Sequence, residues 1–221
     1  MSVIGRAHSG LVFGRRVRVL AREIAELLPP APPTGPLRVL DVGCGDGSVA
    51  RAVMDRRPDV EVEGIDVLVR PRTHIPVAEF DGTRIPHPDR SVDVVLFVDV
   101  LHHTDDATVL LREAARVASA SGHVVVKDHL ADGLLARPTL RFMDWVGNAH
   151  HGVTLPYRYW PTARWERAFA EVGLRPEVWR TALGLYPWPA SWLFDRRLHV
   201  VTRLAPAPTA TADPAATTAR G

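Results

Sequence analysis

Apolar residues recur along this chain with two periods. Phe13, Val17, Leu20, Ile24 and Leu27 follow helical spacing and predict an N-terminal helix. The proline-rich run at 29–36 stops it. LRVLDV at 37–42 reads as a buried strand, VEVEGID at 60–66 as a second, and IPVAEFD at 75–81 as a shorter third. SVDVVLFV at 91–98 is nearly all apolar, as a strand covered on both faces should be. GHVVVKD at 122–128 supplies a fifth. Between these strands, 47–57 reads as a helix ended by Pro58. A second helical run, with Thr104 as its cap, passes through Ala107, Leu110, Leu111, Ala114 and Val117. A third runs from Thr162 through Trp165 and Phe169 to a Gly173 cap. Two last strands are expected at 174–181 and 197–204. Strands alternating with helices predict an α/β fold: a doubly wound parallel sheet with helices on both faces.

Composition narrows the picture. The 221 residues fit one domain, expected over 1–205. Within it, 1–36 form the N-terminal helix and linker, and 130–160 form a substrate lid. Residues 206–221 are mostly Ala, Pro and Thr and are expected to be a disordered tail. Net charge is only +2, with arginines interspersed among acidic residues, so no nucleic-acid partner is expected. The single cysteine, Cys44, excludes an intramolecular disulfide and suits a reducing compartment. No signal peptide is expected at the N-terminus. The most apolar stretch, 92–101, is too short for an integral membrane segment and contains Asp93 and Asp99. These features predict a cytoplasmic protein handling a small molecule.

The most informative stretch is VLDVGCGDGSVA at 39–50. Its glycines, Gly43, Gly45 and Gly47, depart from the G-x-G-x-x-G dinucleotide pattern, and Asp41 ends the strand before them. A pyrophosphate seeks bare amides and is repelled by a carboxylate. Asp41 and Asp46 therefore favour a cationic ligand without phosphate, as S-adenosylmethionine (SAM) is. Asp66, 25 residues after Asp41, ends the second strand, where a carboxylate accepts ribose hydroxyls. Asp81 follows the third strand, within reach of an adenine amino group.

Taken together, VLDVGCGDG, GID and SVDVVLFVDVLHHTDD resemble the class I SAM-dependent methyltransferases, in particular the type-11, UbiE/Coq5-like small-molecule group. The resemblance covers about residues 37–130. It implies a Rossmann-like sheet of seven strands with an antiparallel last strand, RLHVVTRL. It implies that Asp41, Gly43 and Gly45 line the methionine end of SAM. Asp66 takes the ribose, Asp81 and Gly82 flank the adenine, and Val98 passes under the cofactor. Cys44 and Val67, in the same loops, are expected among the cofactor-binding residues; Cys44 reads as a small buried filler and not a nucleophile.

Ligands of such sheets bind beyond the carboxyl ends of the strands. That edge gathers Asp41, Asp66, Asp81, Asp99, His102, His103, Asp128 and His129. Transfer to a hydroxyl needs a base, and His102, His103 and His129 are the candidates, with Asp128 expected to orient His129. Lys127, the sole lysine, is expected to snorkel to the rim or to pair with an aspartate. In the lid, Asp144, Trp145, Asn148, His150, His151, Tyr157 and Tyr159 mix aromatic and polar groups as substrate pockets do. GLYPWPASWLF at 184–194 could close the pocket, meet a second copy or touch a lipid-like acceptor. The leading expectation is metal-free methyl transfer to oxygen. The alternatives are metal-assisted transfer through Mg²⁺ held by Asp99 and Asp128 with Asn148 or a histidine, an inactive SAM-binding module and, least favoured, an NAD(P)-dependent oxidoreductase.

Overall fold

The structure, a computed structural model, describes residues 3–148 and 158–207. It opens with helix α1 (Val3–Leu27), followed by β1 (Leu37–Val42), α2 (Ser48–Met54), β2 (Val60–Asp66), β3 (Val77–Glu79) and β4 (Val92–Val98). A single 3₁₀ turn (Leu101–His103) leads to α3 (Ala107–Val117), β5 (Ala118–His129) and α4 (Ala136–Asn148). Then come α5 (Thr162–Glu171), β6 (Leu174–Arg180), the short α6 (Ala190–Phe194) and β7 (His199–Pro206).

The seven strands form one sheet in the order β3-β2-β1-β4-β5-β7-β6. Strands β1 to β5 run parallel, and β7 is antiparallel to both β5 and β6. Helices cover both faces, as the alternation of elements demands. Leu20, Ile24 and Leu27 of α1 join Ala50 and Val53 of α2 in one buried layer. Leu110, Leu111 and Ala114 of α3 join Trp165 and Phe169 of α5 in the other. The central strands β1, β4 and β5 are therefore apolar on both sides, with Leu40, Val94, Val95 and Val124 fully buried.

Several local expectations are corrected. The third strand shrinks to three residues at the sheet edge. Helix α3 is capped by Asp106, whose carboxylate accepts from the Thr108 amide at 3.0 Å. Thr104 instead donates its hydroxyl to the Leu101 carbonyl, closing the 3₁₀ turn. Residues 136–148 of the expected lid form a helix. Pro138 does not break it, because it lies in the first turn, where no backbone donor is needed. Gly173 follows α5 with a positive φ of 73°, as a helix-ending glycine should. Strand β7 extends to Pro206, and the expected tail lies from residue 208 outside the described residues.

Candidate active site

The glycine loop between β1 and α2 turns tightly enough to leave its amides facing the strand ends. Gly43 has φ 74°, and a Cβ there would sit 2.5 Å from the Val100 side chain. Gly47 also has φ 74°, and its missing Cβ admits Ile75 at 2.4 Å. Asp41, at the end of β1, is buried, and its Oδ1 has no hydrogen-bond partner among the described residues. Burial, and then the nearby charge of Asp66, push its carboxyl up to about 7. A buried carboxylate oxygen left without a donor fits a cationic ligand group. Asp66 accepts from the Gly45 amide at 2.8 Å through Oδ2 and from the Leu68 amide at 3.0 Å through Oδ1. Each oxygen keeps one lone pair for a further donor. Val67 beside it is 58% exposed, and Gly82 approaches its side chain so closely that a Cβ would lie 3.0 Å away. This is an apolar wall open on one side, of the kind a flat base covers. Asp81 closes its own turn through Oδ1, which accepts from the Thr83 amide and hydroxyl and the Arg84 amide. Cys44 packs over Gly64, and burial raises its thiol above the usual range, which disfavours a nucleophile.

Beyond β4 and β5 lies a buried polar cluster. Asp99 has a left-handed backbone (φ 56°), unusual for a non-glycine residue and frequent at functional sites. Its carboxylate is held by Lys127 of β5 and by Arg16 of α1. Burial opposes the charge of Asp99, but the two cations outweigh it and hold the carboxyl well below the ordinary range. Lys127 is fully buried, and this lowers its ammonium to about 8 even though Asp99 opposes the change. Next to this pair, Asp128 accepts from His102 Nδ1 at 2.7 Å and from the amides of Leu101, His102 and His129. His129 Nδ1 lies 3.4 Å from His102 Nδ1 and 3.6 Å from Asp128 Oδ1. Burial, then the neighbouring His102 and Lys127, lower the pKa of His129. Tyr159 closes the cluster, its ring 5.7 Å from His102 and 5.9 Å from His129. The carboxylate expected to orient His129 stands 3.6 Å from that ring and makes a shorter contact, 2.7 Å, with His102. Asp128 thus lies between a ring of its own strand and one from the 3₁₀ turn.

Residues 13–177 match the family model of the methyltransferase domain. The chain belongs to that family. SAM is the methyl donor of these enzymes, and the orphaned Asp41 oxygen, the Asp66 lone pairs and the exposed Val67 fit its ammonium, ribose and adenine. Among curated relatives, the chain is 34% identical to 27-O-demethylrifamycin SV methyltransferase of Amycolatopsis mediterranei, over 42% of this chain and 39% of the relative. It is 29% identical to demethylmenaquinone methyltransferase of Thermotoga maritima, over 58% of this chain and 62% of the relative. The chain thus spans less than two thirds of the length of these relatives. Among solved structures, the putative methyltransferase bound to the Haloferax volcanii Trm112 activator superposes with a TM-score of 0.65. It is 18% identical, and the match covers 91% of this chain and 96% of that one. The likeness is one of fold.

The fold brings together Asp41, Gly43, Gly45 and Asp66 at one strand edge and His102, His103, Asp128 and His129 at the next. The His103 ring lies 3.9 Å from that of His102, at the rim of the cluster. Val98, ending β4, is part-buried and packs with the α1–α2 layer. Asp144, Trp145 and Asn148 belong to α4 by their backbones, but their side chains are not among the described ones; His150, His151 and Tyr157 lie outside the described residues. His102, Asp128 and His129 could bring three ligand atoms to a metal, whereas Asp99 of the expected metal set is engaged by two cations. Three partners were not anticipated. Arg16 and Tyr186 meet at the cluster from α1 and from the β6–α6 connection. His199 of β7 pairs in register with His129, their rings 5.0 Å apart. The histidine in RLHVVTRL was the available signal, and it became readable once β7 lay against β5.

No helix among the described residues is long and apolar enough to cross a membrane.

Proposed function

We propose that this protein transfers a methyl group from SAM to a hydroxyl or carboxylate oxygen of a small organic acceptor, with His102 as the group facing the reacting oxygen. The observation that carries the assignment to oxygen is the His102–Asp128 pair, 2.7 Å apart and buried at the methyl-accepting edge. When bound, SAM supplies an electrophilic methyl on a sulfonium. Asp41 would hold its ammonium, Asp66 its ribose, and Val67 with Asp81 and Gly82 the adenine. Asp128 accepts the Nδ1 proton of His102, which fixes the tautomer with the lone pair on Nε2. Nε2 then takes the acceptor hydroxyl proton as the oxygen attacks, and Asp128 stabilises the imidazolium formed. His129, kept neutral by burial, and Tyr159 exclude water around that proton. His103 borders the acceptor. One relative is named for transfer to an oxygen and the other gives no acceptor atom in its name, so the reading rests on the site.

A screen of hydroxylated acceptors that follows S-adenosylhomocysteine release, with mass spectrometry of products, tests this. O-methylated product that is lost in His102→Gln supports it. Exclusive N- or S-methylation, or full activity of His102→Gln, removes it.

A further inference from the structure

Beside the histidine cluster lies a second feature that methyl transfer does not itself require. A cleft of about 600 Å³ opens between α4 and the segment 158–164, and four of its lining residues are arginines: Arg137, Arg141, Arg158 and Arg164. Arg137 and Arg141 stand four residues apart, one turn on α4, so their side chains share a face. Neither has a hydrogen bond or ion pair among the described residues. Arg164 lies 4.4 Å over the Trp160 ring, which leaves the edge of its guanidinium for a ligand. The two acidic residues of the lining are engaged. Asp106 caps α3 through Thr108, and Asp105 pairs with Arg158 at 3.4 Å. The cleft therefore presents more guanidinium than carboxylate.

Its inner wall is Tyr159 and Trp160, both buried. Tyr159 is also the residue whose ring meets His102 and His129. One side chain thus borders both the basic cleft and the proposed base. The chain also ties the two together, because the Arg158 amide donates to the His102 carbonyl at 2.9 Å.

We infer that this cleft is the acceptor's anion subsite, and that the acceptor is an organic oxyanion whose carboxylate or phosphate is held by Arg137 and Arg141. Guanidinium forks match the paired oxygens of either group. The Trp160–Arg164 stack provides a flat wall for an aromatic or conjugated body. The inference rests on the proposed entry of the acceptor past Tyr159 toward His102.

The test is calorimetric titration of the full chain at low ionic strength with inorganic phosphate, with benzoate and with neutral benzamide, in the wild type and in Arg137→Gln/Arg141→Gln. We expect phosphate or benzoate to bind, benzamide not to, and the double variant to lose at least tenfold in oxyanion affinity while SAM affinity stays within twofold. Tighter phosphate binding assigns a phosphorylated acceptor; tighter benzoate binding assigns a carboxylated one. Arg137→Lys/Arg141→Lys should recover part of the affinity, because charge returns without the fork. No binding of either anion, or equal binding by the double Gln variant, overturns the inference. The two readings fail separately. Oxyanion binding lost in the double Gln variant, with no O-methylated product from any hydroxy acid, keeps the subsite and removes oxygen transfer. O-methylation of neutral acceptors at unchanged KM in the double Gln variant does the reverse.

Discussion

Asp41→Asn separates the stability of this protein from its affinity for SAM. Without a ligand, the Asp41 carboxylate is buried with one oxygen unpartnered and a second carboxylate nearby, and its pKa rises from 3.8 to about 7. The folded state therefore holds this proton more tightly than the unfolded chain, and stability falls as pH rises from about 4 to 7. A rise of about three pH units at 1.36 kcal/mol each sets a ceiling of about 4 kcal/mol on the loss, reached above pH 7. Asparagine carries no charge and escapes it. The SAM-free variant should thus melt higher than the wild type at pH 8, with each kcal/mol worth about 2–4 °C in a chain of this size. The advantage should shrink steadily toward pH 4. SAM binding should show the opposite order, because the variant loses a charge-assisted bond to the ammonium, worth about 1.5–3 kcal/mol or roughly 10- to 150-fold in affinity. Differential scanning calorimetry across pH and isothermal titration with SAM measure both. Equal melting temperatures at pH 8, or an advantage independent of pH, would refute the reasoning. So would unchanged SAM affinity.

Other consequences are as direct. Asp66→Ala should weaken SAM binding at least tenfold with the fold intact, since the residue lies at the sheet edge; calorimetry reads this. His102→Gln should lower kcat by roughly 10²–10⁴ with SAM affinity within about twofold, read by product release and titration. Asp99→Asn leaves buried Lys127 without its carboxylate and should cost about 3–5 kcal/mol, and adding Lys127→Met should return most of the loss in thermal melts. Gly47→Ala places a Cβ against Ile75 in a left-handed backbone and should cost about 1–3 kcal/mol, seen as a lowered denaturation midpoint.

The cofactor end was legible because its information is local. Asp41 and Asp66 end strands whose apolar runs announce themselves, and the glycines between them define a turn. The acceptor end was legible only in its residue types. His102, His103 and His129 stand close in the chain to β4 and β5, so the sheet edge predicted their neighbourhood. Their partners followed only in part from spacing: Asp128 lies 3.6 Å from the His129 ring, as expected, but its shortest contact, 2.7 Å, is to His102 on another element. Lys127 met an aspartate, as one of its two readings held, yet it is buried and does not reach the rim. Arg16 reaches Asp99 from 83 residues away, across the α1 docking surface, and no periodicity encodes that distance. Helix α4 was obscured by the density of aromatics and histidines around it and by a proline that its first turn accommodates.

Strand β7 enters the sheet between β5 and β6, although it follows both in the chain. Until it inserts, β5 has a free edge along Val124, Val125 and Val126, a short, uncharged, β-branched template for any passing strand. The same insertion brings His199 against His129. Assembly of the candidate histidine cluster and concealment of the stickiest edge are thus one folding event. Slow closure of this sheet leaves a nascent chain with its histidine cluster unformed and prone to associate, so the yield of unaggregated protein and the methyl transfer proposed for it should rise and fall together.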